Sequence, residues 1–153
     1  MDFSEIEVYP PAELLIKRSN VCDQGGVGVV STHPVSSGLK YQLKGQIVND
    51  ITQHTVEINP NLHFLDTQFT GYILHSCQPN AQLDMKNLTL DILRDIGIGE
   101  FLTIDYAKTE SKLFRQFACS CHAPTCRRWI KGNSEVISEK GSAFIKSLSR
   151  VYP

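Results

Sequence analysis

Short apolar stretches separated by glycine, proline and asparagine run through the first two thirds of the chain. Such stretches predict short β-strands bounded by turns. Because no helical crossovers separate them, the pattern favours an antiparallel β fold over a doubly wound parallel sheet. The predicted strands cover residues 14–16, 27–30, 41–48, 55–58, 63–65, 88–93 and 101–104, with a turn at 97–99 before the last.

The C-terminal end of the chain is the part with a clearly helical spacing of apolar residues. Ser134 is a suitable N-cap for this helix, although Gly141 lowers the helix propensity of its interior. We expect the helix to pack on the body of the protein or on a partner, without a chemical role. The apolar residues that fall near one face are Ile137, Phe144, Ile145 and Leu148.

The length of 153 residues is enough for one domain with a core of its own. No apolar run approaches the length of a membrane span, so no membrane association is expected. The first residues are acidic and lack the apolar core of a signal peptide. We therefore expect an intracellular protein that is cytoplasmic or, in a eukaryote, nuclear.

The formal net charge is only −1, but the charge is unevenly distributed. The chain is acidic through Tyr106 and basic from Lys108 onward. A nucleic-acid groove needs a more pronounced basic face, so direct nucleic-acid binding is not expected. An acidic body would raise the local concentration of a cationic substrate.

The cysteines form a candidate zinc shell that is split across the chain. In an intracellular protein cysteines are more often metal ligands than disulfides, and four thiolates complete one tetrahedral zinc site. The C-terminal cluster Cys-x-Cys-x4-Cys supplies three ligands and needs a fourth. The three are Cys119, Cys121 and Cys126.

Three residues compete for the fourth ligand position. We favour Cys77, because Pro79 and Asn80 make its segment a rigid turn suited to holding a metal. His122 inside the cluster and Cys22 near the N-terminus remain alternatives.

Three further positions could take part in chemistry. The glycines of Gly25-Gly26-Val27-Gly28 allow the backbone to approach a ligand, but the segment lacks the spacing and helix of a dinucleotide site and reads in isolation as a β-turn. His75 could bind zinc, support a cofactor or be an ordinary core histidine. The neutral phenol of Tyr106, at the end of a β-run, could orient an amine.

Together and in order, these segments resemble the SET-domain protein lysine methyltransferases that carry a post-SET zinc motif. The resemblance covers roughly residues 12 to 132 and is to compact members of the bacterial or fungal type. Residues 26–29 look like the glycine motif, 75–80 match His-Ser-Cys-x-Pro-Asn, 99–106 match a Gly-Glu-Glu-Leu-Thr-Ile-Asp-Tyr-like signature, and 117–127 match the post-SET pattern.

The resemblance implies a mainly β fold, the SET-domain or β-clip fold. In its pseudoknot, the strand of the His-Ser-Cys motif and the strand before Asp-Tyr thread together beside the cofactor. The implied parts are a SET domain at 12–107, a post-SET zinc segment at 108–132 and a C-terminal helix and tail at 133–153.

The implied activity is methyl transfer from S-adenosylmethionine to the side-chain amine of a lysine. The substrate is a protein or a small amine, and a homodimer is compatible with the apolar C-terminal helix. Tyr106 is implied as the catalytic tyrosine, and Cys77, Cys119, Cys121 and Cys126 as ligands of one structural Zn²⁺. The implied cofactor-binding residues are Gly25, Gly26, Val27, Gly28, Leu74, His75, Tyr106 and Phe117.

Leu74 departs from the family pattern, which usually has asparagine before the histidine. The asparagine side chain normally holds the cofactor, and leucine cannot form a side-chain hydrogen bond. Two alternatives to lysine methylation therefore stay open. One is a SET-like module that binds S-adenosylmethionine for biosynthetic chemistry other than methyl transfer, and the other is an inactive module that binds a partner.

Overall fold

A computed structural model describes residues 14–19, 26–66 and 69–151 of the chain. Within these ranges it has twelve strands and two helices. The strands are β1 Leu14–Ser19, β2 Gly26–Ser31, β3 Lys40–Gln42, β4 Gln46–Val48, β5 Thr55–Asn59, β6 Leu62–Leu65, β7 Leu74–His75, β8 Ala81–Asp84, β9 Thr89–Ile92, β10 Thr103–Ile104, β11 Phe117–Ala118 and β12 Trp129–Ile130. The helices are α1 Tyr106–Thr109 and α2 Glu139–Val151, and a 3-10 turn covers Thr70–Tyr72.

The strands are arranged in small sheets, as the alternation of short apolar stretches and turns predicts. Four sheets are antiparallel: β1-β2, β3-β9-β8, β4-β6-β5 and β11-β12. The β7–β10 pair is parallel, with Leu74 opposite Thr103 and His75 opposite Ile104. The mainly β architecture is confirmed, and the parallel pair is the one that joins the two central motifs.

The single strand predicted over 41–48 is wrong, because this segment forms β3 and β4 in two different sheets. Leu43 is buried between them. At Gly45 an added Cβ would lie 2.5 Å from the carbonyl oxygen of Leu65, so the backbone passes too close to β6 for a side chain. The close approach explains the break.

Two apolar clusters form the interior. The larger one lies under the central sheets and includes Val29, Phe69, Ile73, Leu90, Ile96 and Leu102. The smaller one consists of Leu113, Cys119 and Ile130, with Phe117 and three further cysteines packed against it, Cys77, Cys121 and Cys126. Tyr106 packs against both clusters, so its position depends on both.

The C-terminal helix begins later than predicted. Ser138, rather than Ser134, caps α2, because its hydroxyl oxygen accepts the Gly141 N–H at 3.1 Å. The helix packs on β11 and β12, where an added Cβ at Gly141 would lie 2.2 Å from Nε1 of Trp129. Gly141 therefore weakens the helix locally but allows it to dock on Trp129.

Candidate active site and metal centre

The parallel β7–β10 pair brings the His-Ser-Cys segment and the Asp-Tyr segment side by side. Past the ladder, the Ser76 N–H donates to the Ile104 carbonyl at 3.0 Å. Asn80, only 1% exposed, extends the junction. Its Oδ1 accepts the Thr103 N–H at 2.9 Å, and its Nδ2 donates to the Phe101 carbonyl at 2.9 Å. This asparagine thus holds the two segments together where the backbone ladder ends.

Tyr106 is held at three points. Its hydroxyl donates to the Ile73 carbonyl at 2.6 Å, and its backbone N–H donates to Nδ1 of His75 at 3.1 Å. Its ring meets those of His75 and Phe117 edge-on, with centroid distances of 5.2 and 5.9 Å. The His75 and Phe117 rings are 5.6 Å apart, so the three rings close a triangle.

The protonation state of His75 follows from its surroundings. Burial lowers the pKa of His75 to about 4, and the negative charge of Asp105 offsets this effect only in part. The ring is therefore neutral at pH 7. Since Nδ1 accepts the Tyr106 N–H, the ring proton is assigned to Nε2. Nε2 lies 3.4 Å from Sγ of Cys77 and donates toward it. His75 therefore bridges the cysteine cluster and the tyrosine.

The structure places four of the candidate metal ligands together. The Sγ atoms of Cys77, Cys119, Cys121 and Cys126 all lie within 4.8 Å of one another. Those of Cys77 and Cys119 are 4.0 Å apart. A tetrahedral zinc ion with Zn–S bonds of about 2.3 Å holds its sulfur ligands about 3.8 Å apart. The cluster is therefore slightly wider than a zinc site and needs only a small contraction to become one.

The chemistry of the four sulfurs also fits a cation. Burial raises the pKa of the Cys77 and Cys119 thiols. Burial also opposes ionisation of Cys121, yet backbone N–H groups lower its pKa to about 6. Four adjacent thiols in this setting cannot all ionise unless a positive charge compensates them, and a divalent metal supplies that charge.

Of the two alternative ligands, His122 does not join this cluster. His122 is exposed and has a left-handed backbone with φ 61°. Cys22 lies outside the described residues. Among the described residues, the set with Cys77 as fourth member is the group of metal-ligating side chains that the fold assembles.

The glycine segment belongs to a strand. Gly26, Val27 and Gly28 are part of β2, so the β-turn interpretation is wrong for these three residues, and Gly25 lies outside the described residues. An added Cβ at Gly28 would lie 2.7 Å from the Phe101 ring and 2.9 Å from Cδ1 of Leu74. The absence of a side chain at Gly28 allows Leu74, next to His75, to pack against β2.

An open groove of about 530 Å³ lies beside this region, within the range of small-molecule sites. One wall comes from Ser76 and Gln78, another from Phe101 and Thr103. The third wall is residues 121–124 of the metal loop, which we define as 119–126. Sequence reasoning did not predict this groove, because its walls come from three separate parts of the chain.

Sequence reasoning also missed an ion pair beside Tyr106, between the buried carboxylate of Asp105 and the Arg127 side chain, which is 44% exposed. The guanidinium of Arg127 donates to both carboxylate oxygens of Asp105, at 2.9 and 2.7 Å. Burial opposes ionisation of Asp105, but Arg127 holds the pKa of this carboxyl below its usual value. Asp105 lies in the motif at 99–106 and Arg127 in the motif at 117–127, so these two motifs were the signal in the sequence for the ion pair.

Known proteins with similar sequences are methyltransferases. No model of a known protein family matches the chain. It is 29% identical over 87 residues to Methyltransferase flvH of Aspergillus flavus, covering 56% of this chain and 49% of that protein. It is 34% identical over 65 residues to Histone-lysine N-methyltransferase trr of Drosophila melanogaster, covering 39% of this chain and 3% of that one. The chain thus spans about half of the first relative and a small part of the second.

Solved structures show the same fold. The structure of KRYPTONITE with mCHG DNA and SAH matches with a TM-score of 0.59 and 25% identity, over 76% of this chain and 28% of that one. KRYPTONITE with mCHH DNA, an H3(1–15) peptide and SAH matches with a TM-score of 0.58 and 24% identity, over 76% and 29%. The similarity to methyltransferases and the shared fold with KRYPTONITE support the SET-domain resemblance that the motifs of the chain carry. No helix in the described part of the chain is long and apolar enough to cross a membrane.

Proposed function

We propose that this protein transfers a methyl group from S-adenosylmethionine to the side-chain amine of a lysine in a protein. The observation that carries the proposal is the Tyr106 hydroxyl, fixed on the Ile73 carbonyl inside the ring triangle with His75 and Phe117. The relatives support it. KRYPTONITE was solved with SAH, once together with an H3(1–15) peptide, and trr is a histone-lysine methyltransferase.

The backbone of Gly25, Gly26, Val27 and Gly28, with Leu74 and His75, would hold the cofactor, and Phe117 would cover it. When bound, S-adenosylmethionine supplies an activated methyl group on a sulfonium, so the protein needs no strong nucleophile of its own. Among the described residues, no side chain near Tyr106 has to act as one. The protein contributes position and a dry environment, which are the terms that matter for such a transfer.

Tyr106 has a defined role in this arrangement. Because its proton is donated to the Ile73 carbonyl at 2.6 Å, the hydroxyl has a fixed orientation and would present its oxygen to an incoming amine and stabilise positive charge beside it. A lysine that enters this apolar surrounding loses water, which lowers its pKa and favours the neutral form that can attack.

We further propose that the four cysteines bind one structural Zn²⁺. The ion would tie the metal loop to Cys77 and so hold the segment with Phe117 over the cofactor site. A short irregular segment such as 119–126 has few other means of staying folded, and a metal supplies the missing free energy.

Calorimetry with S-adenosylmethionine and with SAH tests the proposal most directly. We expect both to bind, and we expect methyl transfer to lysine peptides on an array. In Tyr106→Phe, turnover should fall by about 10²-fold while cofactor affinity changes little. Equal turnover in the mutant would exclude the assigned role of the hydroxyl, and no binding of either compound would exclude the cofactor.

Leu74 supports a second candidate function, in which the protein binds S-adenosylmethionine but does not methylate lysine. The side chain of Leu74 packs beside Gly28 and Phe101, at the position where the family pattern has a polar amide. Cofactor binding without transfer to any peptide would favour this candidate.

The absence of nucleic-acid binding, the homodimer and the intracellular location stay predictions.

A further inference from the structure

Arg127 connects the metal loop to the segment that carries Tyr106. It directly follows Cys126, and its backbone N–H donates to Sγ of Cys77 at 3.5 Å. Its side chain forms the bidentate pair with Asp105. A planar guanidinium that binds both oxygens of one carboxylate fixes orientation as well as distance. The same residue therefore contacts the metal site with its backbone and the Asp-Tyr segment with its side chain.

Asp105 connects the Arg127 side chain to the backbone around Tyr106. It directly precedes Tyr106, and its side chain is only 6% exposed. Besides binding Arg127, its Oδ1 accepts the Ala107 N–H at 3.0 Å and so caps α1, which begins at Tyr106. A buried carboxylate that loses its cation has to find other partners or become protonated, and either change would disturb the cap.

His75 provides a parallel connection on the other side of the tyrosine. It holds the Tyr106 N–H through Nδ1 and faces Cys77 through Nε2. The first two backbone N–H groups of α1 are thus held by His75, which contacts the candidate ligand Cys77, and by Asp105, which binds Arg127 next to the metal loop. A cover for the cofactor alone would not require these contacts.

We propose that Arg127 is a positioning residue that sets the place of the Tyr106 phenol through Asp105, so that the metal centre controls the alignment of the catalytic tyrosine as well as the cofactor cover. This inference rests on the proposed function for its catalytic consequence. The mechanical part, that Arg127 and the metal hold residues 105–107, can be tested without any methyl transfer.

Arg127→Gln removes the positive charge and the bidentate guanidinium, and Arg128→Gln is its matched control. Arg128 is the exposed next residue, so the control makes the same change of charge one position away. In metal-loaded protein, we expect the Tyr106 and Ala107 amides to exchange hydrogen about tenfold faster in Arg127→Gln and at the wild-type rate in Arg128→Gln. Removing the metal from wild-type protein with a chelator should speed up exchange of the same amides. In Arg127→Gln, metal removal should add little at the Ala107 amide, which Asp105 holds.

Kinetics separate positioning from general loosening. In Arg127→Gln, kcat should fall by about tenfold or more while KM for S-adenosylmethionine stays within about twofold. Arg127→Lys keeps the charge without the bidentate guanidinium and should recover part of kcat. If Arg127→Gln does not fold or does not retain metal, the amide exchange rates of Arg127→Lys test the inference instead. We expect these rates to lie between those of wild-type and metal-free protein.

Three results would overturn the inference. They are unchanged exchange in metal-loaded Arg127→Gln, equal effects in Arg128→Gln, and wild-type exchange in Arg127→Lys when Arg127→Gln cannot be measured. A protein without methyl transfer but with faster exchange only in Arg127→Gln would overturn the proposed function and leave the mechanical link intact.

Discussion

Replacing Gly141 by alanine reverses the usual effect of this substitution in a helix. In an ordinary helix interior, alanine is more stable than glycine by about 0.5–1 kcal/mol. In α2 the new Cβ would lie 2.2 Å from Nε1 and 2.5 Å from Cε2 of Trp129, whereas ordinary contacts begin near 3.4 Å. The helix would have to move away from the ring by about 1 Å or more.

The size of the effect follows from what this movement disrupts. Overpacking of this kind costs about 1–3 kcal/mol. The hydrogen bond from Trp129 Nε1 to Oε1 of Gln116, at 3.0 Å, contributes about 1 kcal/mol more if it breaks. After subtraction of the helix-propensity gain, Gly141→Ala should lower the free energy of unfolding by about 1–3 kcal/mol.

Urea unfolding followed by the fluorescence of Trp129, the single tryptophan of the chain, measures this change. The metal concentration has to be the same for all variants, because bound metal stabilises the folded state. Ala143→Gly, at an exposed position of α2, is the control and should cost about 1 kcal/mol from helix propensity alone. A Gly141→Ala protein as stable as wild type, or more stable, would refute the proposed packing against Trp129.

Three further predictions concern charge, metal and cofactor. Burial raises the pKa of Glu110 from 4.5 to about 7, so the stability that depends on its proton is complete below about pH 4.5 and is lost as the pH rises through 7. Glu110→Gln should therefore remove up to about 3 kcal/mol of pH dependence in urea titrations between these values, and an unchanged slope would contradict the shift. Cys77→Ser should release metal as readily as Cys121→Ser, as measured with a chromogenic chelator, and a release caused by Cys22→Ser instead would show that the ligand set is wrong. If Leu74 only removes a hydrogen bond to the cofactor, Leu74→Asn should tighten S-adenosylmethionine binding about tenfold in calorimetry, with Leu74→Ala as the control. Unchanged affinity would argue that the cofactor is held in another way.

The parts of the fold that depend on local signals could be predicted from the sequence. The strand predicted at 55–58 agrees with β5, and the turn at 97–99 is present with Gly99 at φ 80°, because alternating apolar residues and glycines mark these features directly. The break between β3 and β4 depends on contact of Gly45 with β6, about twenty residues further on, and no local pattern encodes it.

The start of α2 shows the same limit. Ser134 and Ser138 are equally good caps by residue type. Glu135 holds the intervening segment out of the helix, because one of its carboxylate oxygens accepts the N–H groups of Gly132 and Leu113. The choice between the two caps is therefore made by a contact with residue 113.

The candidate site could be predicted only where motifs name its residues. Tyr106, His75 and the cysteines stand in recognisable patterns, and their roles stay predictions after the structure has brought them together. The Asp105–Arg127 pair joins positions 22 residues apart, and only the folded chain reveals it. The groove beside the metal loop was unpredictable for the same reason.

Because the four candidate ligands are far apart along the chain, binding of one metal by all four would depend on the folded topology. Cys77 lies 42 residues before Cys119, and the intervening segment contains β8, β9, β10, α1 and β11. Cys119, Cys121 and Cys126 are close in the sequence, whereas Cys77 would join them only once the chain after β7 is placed by the pairing of β7 with β10. Full coordination of a bound metal would therefore come late in folding, and a chain with mispaired strands would bind the metal more weakly.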